Sequence, residues 1–131
     1  MSHPSEPARH TLRPHERLKR PADFQQVYDH RRSVADERLI VYGRPNGLPH
    51  NRVGFSVSRK KFARAVRRNR VRRLLREAYR LSKPDLPGGM DLVFIPRSAN
   101  AEFTLEELCK SVVNLVNGLA RRLGREAEKP A

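Results

Sequence analysis

Residues 59–80 read RKKFARAVRRNRVRRLLREAYR and hold eleven basic side chains against one acid, Glu77. At 100° per residue, Val71, Leu74, Leu75 and Ala78 gather on one side of a helix. Asn69, Arg72, Arg73, Arg76 and Arg80 fall on the other side. The stretch predicts an amphipathic helix with one face to bury and one lined with guanidinium groups. Upstream, Arg52–Ser58 (RVGFSVS) alternates, with Val53, Phe55 and Val57 on one face and Gly54, Ser56 and Ser58 on the other, as in a strand. Downstream, Asp91–Pro96 (DLVFIP) is an apolar run after the turn Leu86-Pro87-Gly88-Gly89, which predicts a buried central strand. Strand, basic helix and strand together predict a mixed α/β domain.

Working outward, Arg38–Gly43 (RLIVYG) is β-branched and aromatic and reads as another strand, ending in the loop Arg44–Asn51. Pro21 can open a first helix, because proline at the first helical position gives up only an unused donor. Phe24, Val27 and Tyr28 then form its apolar stripe. Thr104 and Glu107 make a capping box for a last helix. Its apolar face carries Leu105, Leu108, Cys109, Val112, Leu115, Val116 and Leu119, and Gly124 is placed to end it. Cys109 reads as a small core hydrophobe, since no histidine is positioned to activate it. Residues 1–17 hold three prolines and three histidines and read as a disordered tail. The expected domain spans 18–123, with a flexible tail over 124–131.

A chain of 131 residues has room for one such domain. Its net charge is +14, of which residues 59–80 supply +10. That excess points to a polyanionic partner. No apolar run approaches the ~18 residues of a membrane span, and MSHPSEPARH has no apolar core of a secretion signal. The single cysteine excludes an internal disulfide. These features lead to an expected cytoplasmic location. No acidic cluster with metal-binding spacing occurs among the strands, so metal-assisted phosphodiester chemistry has no obvious home here. The histidines at positions 3, 10, 15, 30 and 50 read as scattered, solvated loop residues. Glu106 and Glu107 suit the start of a helix, where the dipole favours acids.

Most charge runs are solvated faces, but those interleave acids to form i,i+4 pairs, and this one reads as lacking partners. Arginine is preferred over lysine, which suits bidentate phosphate contacts and stacking on bases. A helix lying on an anionic membrane would need a wider apolar face with aromatic anchors. Nucleic-acid binding is the reading that remains.

The string Arg68-Asn69-Arg70-Val71-Arg72-Arg73-Leu74-Leu75-Arg76-Glu77-Ala78-Tyr79 resembles the Arg-Asn-Arg signature of the bacterial ribonuclease P protein subunit. Leu18-Lys19 with Asp23–Tyr28, Ser33–Ala35 with Leu39–Tyr42, Val53–Lys60 and Asp91–Arg97 are similar to its other blocks, in order. The resemblance spans roughly residues 17–122. It implies an α-β-β-β-α-β-α domain with a central four-stranded sheet, of the fold type of ribosomal protein S5 domain 2. It also implies a left-handed crossover through the basic helix, whereas general rules favour the right-handed form in about 98% of cases. Many members carry Gly where this chain has Phe62-Ala63-Arg64, which leaves that turn's geometry open.

The resemblance further implies the accessory subunit of a ribonucleoprotein endoribonuclease that removes 5′ leaders from precursor tRNA. The chemistry would lie with the RNA subunit and with Mg²⁺ held mainly by it, without an organic cofactor or an obligate protein partner. Arg59, Lys60, Arg68, Asn69, Arg70, Arg72, Arg73, Arg76 and Arg80 are the expected contacts to the catalytic RNA. Phe24, Tyr28 and Tyr42 are expected to line a cleft for the single-stranded leader, where stacking tolerates any base. Ordinary core packing is the competing role for these rings. A ribosomal or other structural RNA-binding protein would need the basic helix but no leader cleft. A DNA-binding helix-turn-helix is disfavoured by the intervening strands.

Overall fold

The computed structural model describes residues 12–97 and 104–128. In chain order the elements are α1 (Pro21–Asp29), β1 (Ser33–Ala35), β2 (Leu39–Pro45), β3 (Arg52–Phe55), α2 (Ala65–Ser82), β4 (Met90–Pro96) and α3 (Leu105–Glu128). Single 3₁₀ turns lie at Pro14–Glu16 and Lys83–Asp85. The four strands form one sheet in the order β1-β2-β4-β3. β2 is antiparallel to β1 and β4, while β3 runs parallel to β4. β4 is thus flanked on both edges, and every residue of it but Ile95 is buried. That burial is why its sequence is a continuous apolar run rather than an alternating one. β3 and β4 are joined by α2, so the basic helix is the crossover between two parallel neighbours.

Pleating sorts the side chains into two layers. Leu39, Val41, Val53, Leu92 and Phe94 pack against Val71, Leu75, Ala78 and Tyr79 of α2 and Leu108, Val112, Val116 and Leu119 of α3. On the other face, Tyr42, Val93 and Ile95 cluster with Leu18 and the Phe24, Val27 and Tyr28 stripe of α1. A nine-residue helix cannot cover that face. Val27 and Val93 are buried, but Phe24, Tyr28, Tyr42 and Ile95 remain half-buried.

Several expectations about ends and turns are corrected. Residues 12–17 are not tail: Leu12 and Glu16 are buried, and the Leu18 amide donates to the Val53 carbonyl at 2.9 Å. Glu16 accepts from the Arg13 amide and pairs with Lys83 Nζ at 2.7 Å. An apolar side chain and a satisfied carboxylate there anchor the segment to the sheet and to α2's end. Gly124 does not stop the last helix, which runs on to Glu128. Glu126 pairs with Arg32 at 2.7 Å and lies near Arg122 one turn earlier, and these contacts secure the final turns. β3 is shorter than Arg52–Ser58, because the chain turns after it and the Phe62 amide donates to the Ser58 carbonyl at 2.9 Å. Residues 1–11 and 129–131 lie outside the described residues.

Elsewhere the local chemistry acts as read. Pro21 opens α1, and Thr104 and Glu107 exchange hydrogen bonds at 3.1 and 3.2 Å as a capping box. Gly89 precedes β4 with φ +89°, a left-handed conformation that favours glycine.

Candidate nucleic-acid interface

Only one side of α2 can reach the core, and its composition decides which. Val71, Leu75, Ala78 and Tyr79 are buried and Leu74 is partly so, so the helix turns its guanidinium face outward. Asn69, Arg70, Arg73 and Arg76 are exposed, and Arg72 is half-buried with its Nη1 donating to Asn69 Oδ1 at 3.2 Å. Arg70, Arg72, Arg73 and Arg76 form no ion pair among the described residues. No acid sits in the first turn, although the positive end of a helix dipole favours one. Arg59 and Lys60 stand exposed in the turn leading to this end. A positive helix terminus set among uncompensated cations is an arrangement that an external anion stabilises.

Two arginines differ from the sequence reading. Arg80 is not unpartnered: its Nε and Nη2 grip the Glu77 carboxylate one turn back. Glu77's pKa is held below the usual carboxylate range, first by that hydrogen bond. The pair forms because both residues share the same side of the helix. Arg68 turns inward, donating from Nη1 to the carbonyls of Phe62 and Ala63, each at 3.0 Å. It braces the glycine-free link, in which Phe62 is buried and lies 5.7 Å beneath the Arg67 guanidinium.

The aromatic residues divide in the same way. Tyr28 and Tyr42 meet edge to face with ring centroids 5.2 Å apart. Phe24 brings the tip of its ring against β3 at the one position without a side chain: a Cβ on Gly54 would fall 2.4 Å from the Phe24 ring. We therefore expect Gly54→Ala to displace the ring or α1 and to cost about 1–3 kcal/mol. Urea unfolding checks this, and an unchanged midpoint would contradict the packing. Phe24 also lines a cavity of about 160 Å³ together with Arg17, Phe55, Arg72 and Arg76. Of the three rings expected to stack on bases, Phe24 borders this concavity with two of the arginines expected to hold phosphates, whereas Tyr28 and Tyr42 are not among its lining residues.

A family model described as Ribonuclease P matches residues 12–120, a span that takes in both faces of this concavity. The chain belongs to the ribonuclease P protein family. The ribonuclease P protein component of Clostridioides difficile is 45% identical over 100 residues, covering 76% of this chain and 87% of the relative. That of Coxiella burnetii is 32% identical over 111 residues, covering 85% and 91%. Among solved structures, the RNase P protein from Thermotoga maritima superposes with a TM-score of 0.72 at 33% identity, covering 79% of this chain and 96% of that one. The Staphylococcus aureus RNase P protein gives 0.67 at 33% identity, with 81% and 95% covered. The mixed fold of four strands and three helices is that of the ribonuclease P proteins.

Three features of this family member were not legible in its sequence. Arg17, expected in a tail, borders the Phe24 cavity. His15 and His50, expected to be scattered, meet edge to face with centroids 4.9 Å apart; His3 and His10 lie outside the described residues. Asp91 is fully buried and receives Arg52 Nε at 2.8 Å and Nη2 at 2.6 Å, Asn46 Nδ2 at 3.0 Å and Arg44 Nη2 at 3.4 Å. Burial alone would raise its pKa, but the hydrogen bonds from Arg52 and Asn46 and the nearby cations hold it below the usual range. Arg44 continues to Gln26 of α1 at 2.8 Å, so the network also sets where α1 sits. Among the described residues no three His, Cys, Asp or Glu side chains could together hold a metal, and no helix is long and apolar enough to cross a membrane.

Proposed function

We propose that α2 docks on the catalytic RNA of ribonuclease P while the open face beside α1 takes the single-stranded 5′ leader of precursor tRNA. By its family the chain is the ribonuclease P protein component, an accessory subunit of the endoribonuclease that matures tRNA 5′ ends, and it works with the RNase P RNA and the tRNA precursor. The observation that carries the finer reading is the shared cavity of Phe24, Arg72 and Arg76. A ring with a free face stacks on any base, and guanidinium groups alongside neutralise the adjoining phosphates. Arg59, Lys60, Asn69, Arg70 and Arg73 extend the phosphate surface along the exposed helix; Arg68 serves by holding the link, and Arg80 reaches RNA from its pair with Glu77. The chain's role is to bind and position. The Mg²⁺ ions that stabilise charge in the cleavage step belong to the RNA in this reading, and the setting is the cytoplasm.

The test compares precursor tRNA carrying a leader of several nucleotides with mature tRNA, each bound to the reconstituted holoenzyme. Replacing Phe24 and Tyr42 with Ala should weaken binding of the precursor by about 1–3 kcal/mol per lost stack and leave mature tRNA unaffected. The salt dependence should stay almost unchanged, because stacking releases few counterions. Equal losses for both RNAs from a fully folded variant would reject the leader cleft and favour a structural RNA-binding role. Rings that serve only as core would instead lower the urea midpoint and weaken both in proportion.

A further inference from the structure

A second and larger concavity, about 450 Å³, opens beyond the start of α1, between the Pro14–Glu16 turn and the loop joining β2 to β3. Its walls carry His15, Arg17, Lys19, Arg20, His50 and Arg52. Asp23 is the one acid on them. Of the neighbouring acids, Glu16 is engaged by Lys83, and Asp91 by Arg44 and by Arg52 of this same wall. The Asp91 carboxylate takes the Nε and Nη2 edge of Arg52, which locks that guanidinium in place and leaves Nη1 without an acceptor among the described residues. The edge-to-face contact of His15 and His50 brings two ring N–H sources from separate segments to the same wall. Arg17 also borders the Phe24 cavity, so the two concavities adjoin.

We propose that this pocket is a phosphate-binding site for an RNA phosphodiester, with His15 and His50 as its pH-dependent members. Three cations without an ion pair among the described residues (Arg17, Lys19 and Arg20), the remaining Nη1 of the Asp91-bound Arg52 and two imidazoles line one concavity with room for a phosphodiester. Charge-assisted hydrogen bonds to such an anion are the stronger kind. Histidine is the side chain that gains charge between pH 8 and 5, so the site binds an anion more tightly in mild acid. The charged groups that share the pocket wall with the imidazoles are Arg17, which follows the turn, Lys19, Arg20 and Asp23 from the entry into α1, and Arg52 from β3, and Glu16 interacts electrostatically with His15. This inference rests on the ribonuclease P reading only for the identity of the RNA. The pocket's anion affinity stands without it.

The test uses the full chain, labelled with ¹⁵N, and inorganic sulfate as the probe, because sulfate keeps its charge across this pH range. At constant ionic strength and pH 5.8, the His15 and His50 ring resonances should shift saturably, with binding about tenfold weaker at pH 8.0 and the pH effect lost in His15→Gln/His50→Gln. Sulfate that saturates only α2 resonances, or binds the two-histidine region equally at both pH values, would overturn the proposal. The same variant is then bound to the catalytic RNA alone, and as holoenzyme to leader-bearing and mature tRNA. A loss confined to leader-bearing tRNA assigns the phosphate to the leader, and a loss with the catalytic RNA alone assigns it there. A folded variant that binds all three RNAs as wild type overturns the RNA assignment. Saturable sulfate binding with no RNA effect would therefore fault the RNA ligand, whereas failure of the sulfate arm would fault the site itself.

Discussion

Replacing Arg72, Arg73 and Arg76 with Ala should weaken binding of the catalytic RNA by about two orders of magnitude near 0.1 M salt. Each phosphate contact contributes roughly 0.7–0.9 to the slope of log K against log[salt], so losing three should make that slope shallower by roughly 2–2.7. These three are chosen because they form no ion pair among the described residues, so their removal leaves no acid stranded. Arg68 is a poor choice for such a test, since its guanidinium holds the Phe62 and Ala63 carbonyls and its loss would loosen the link into α2. The measurement is a salt titration of affinity, with urea unfolding as the control for stability. An unchanged slope in a folded variant would remove α2 as the phosphate surface.

The second large effect should come from a residue that touches no RNA. Asp91 is fully buried and is the shared acceptor of Arg52, Arg44 and Asn46. Asp91→Ala would leave those cations without their counter-charge, a change worth about 3–5 kcal/mol for a buried pair. The low end applies here, because both arginine heads are partly exposed and water can solvate them. About 3 kcal/mol is still a large share of the roughly 5–15 kcal/mol that stabilises a small domain. Urea unfolding at pH 7 should show it, and a loss below about 1 kcal/mol would mean that water already screens the network. The pH dependence has a definite sign. A carboxylate whose pKa is depressed by folding stabilises the native state above its unfolded pKa of about 3.9 and loses that contribution as pH falls through the folded value. The gap between wild type and variant should therefore be full near neutrality and close below about pH 4.

Much of the fold follows from local pattern. The β4 run, the Pro21 start, the Thr104–Glu107 box and the two-faced character of residues 65–82 each encode their structure within a few residues, where period and capping chemistry act. The errors fall where the deciding partner is distant in sequence. Gly124 reads as a stop, yet the helix is secured by Glu126 reaching Arg32. Residues 12–17 look like tail by composition, but Val53 and Lys83 tie them down. Arg80 looks uncompensated only while Glu77 is treated as a lone acid rather than its neighbour on the same side.

The sequence by itself determined that this chain forms one strongly basic domain with a guanidinium-lined helix between two strands. Charge and periodicity are properties of the residues in order, and they need no partner to be read. Its blocks of motif likewise sufficed to place it in its family. Only the tertiary structure decided which cations remain available to a ligand and which are consumed by the fold. It paired Arg52 with Asp91, turned Arg68 onto the backbone, and brought Phe24 beside Arg72 and Arg76. It also set His15 against His50. The physical reason is common to all four: burial and hydrogen bonding act between groups close in space, and chain order carries no direct record of which distant segments will meet.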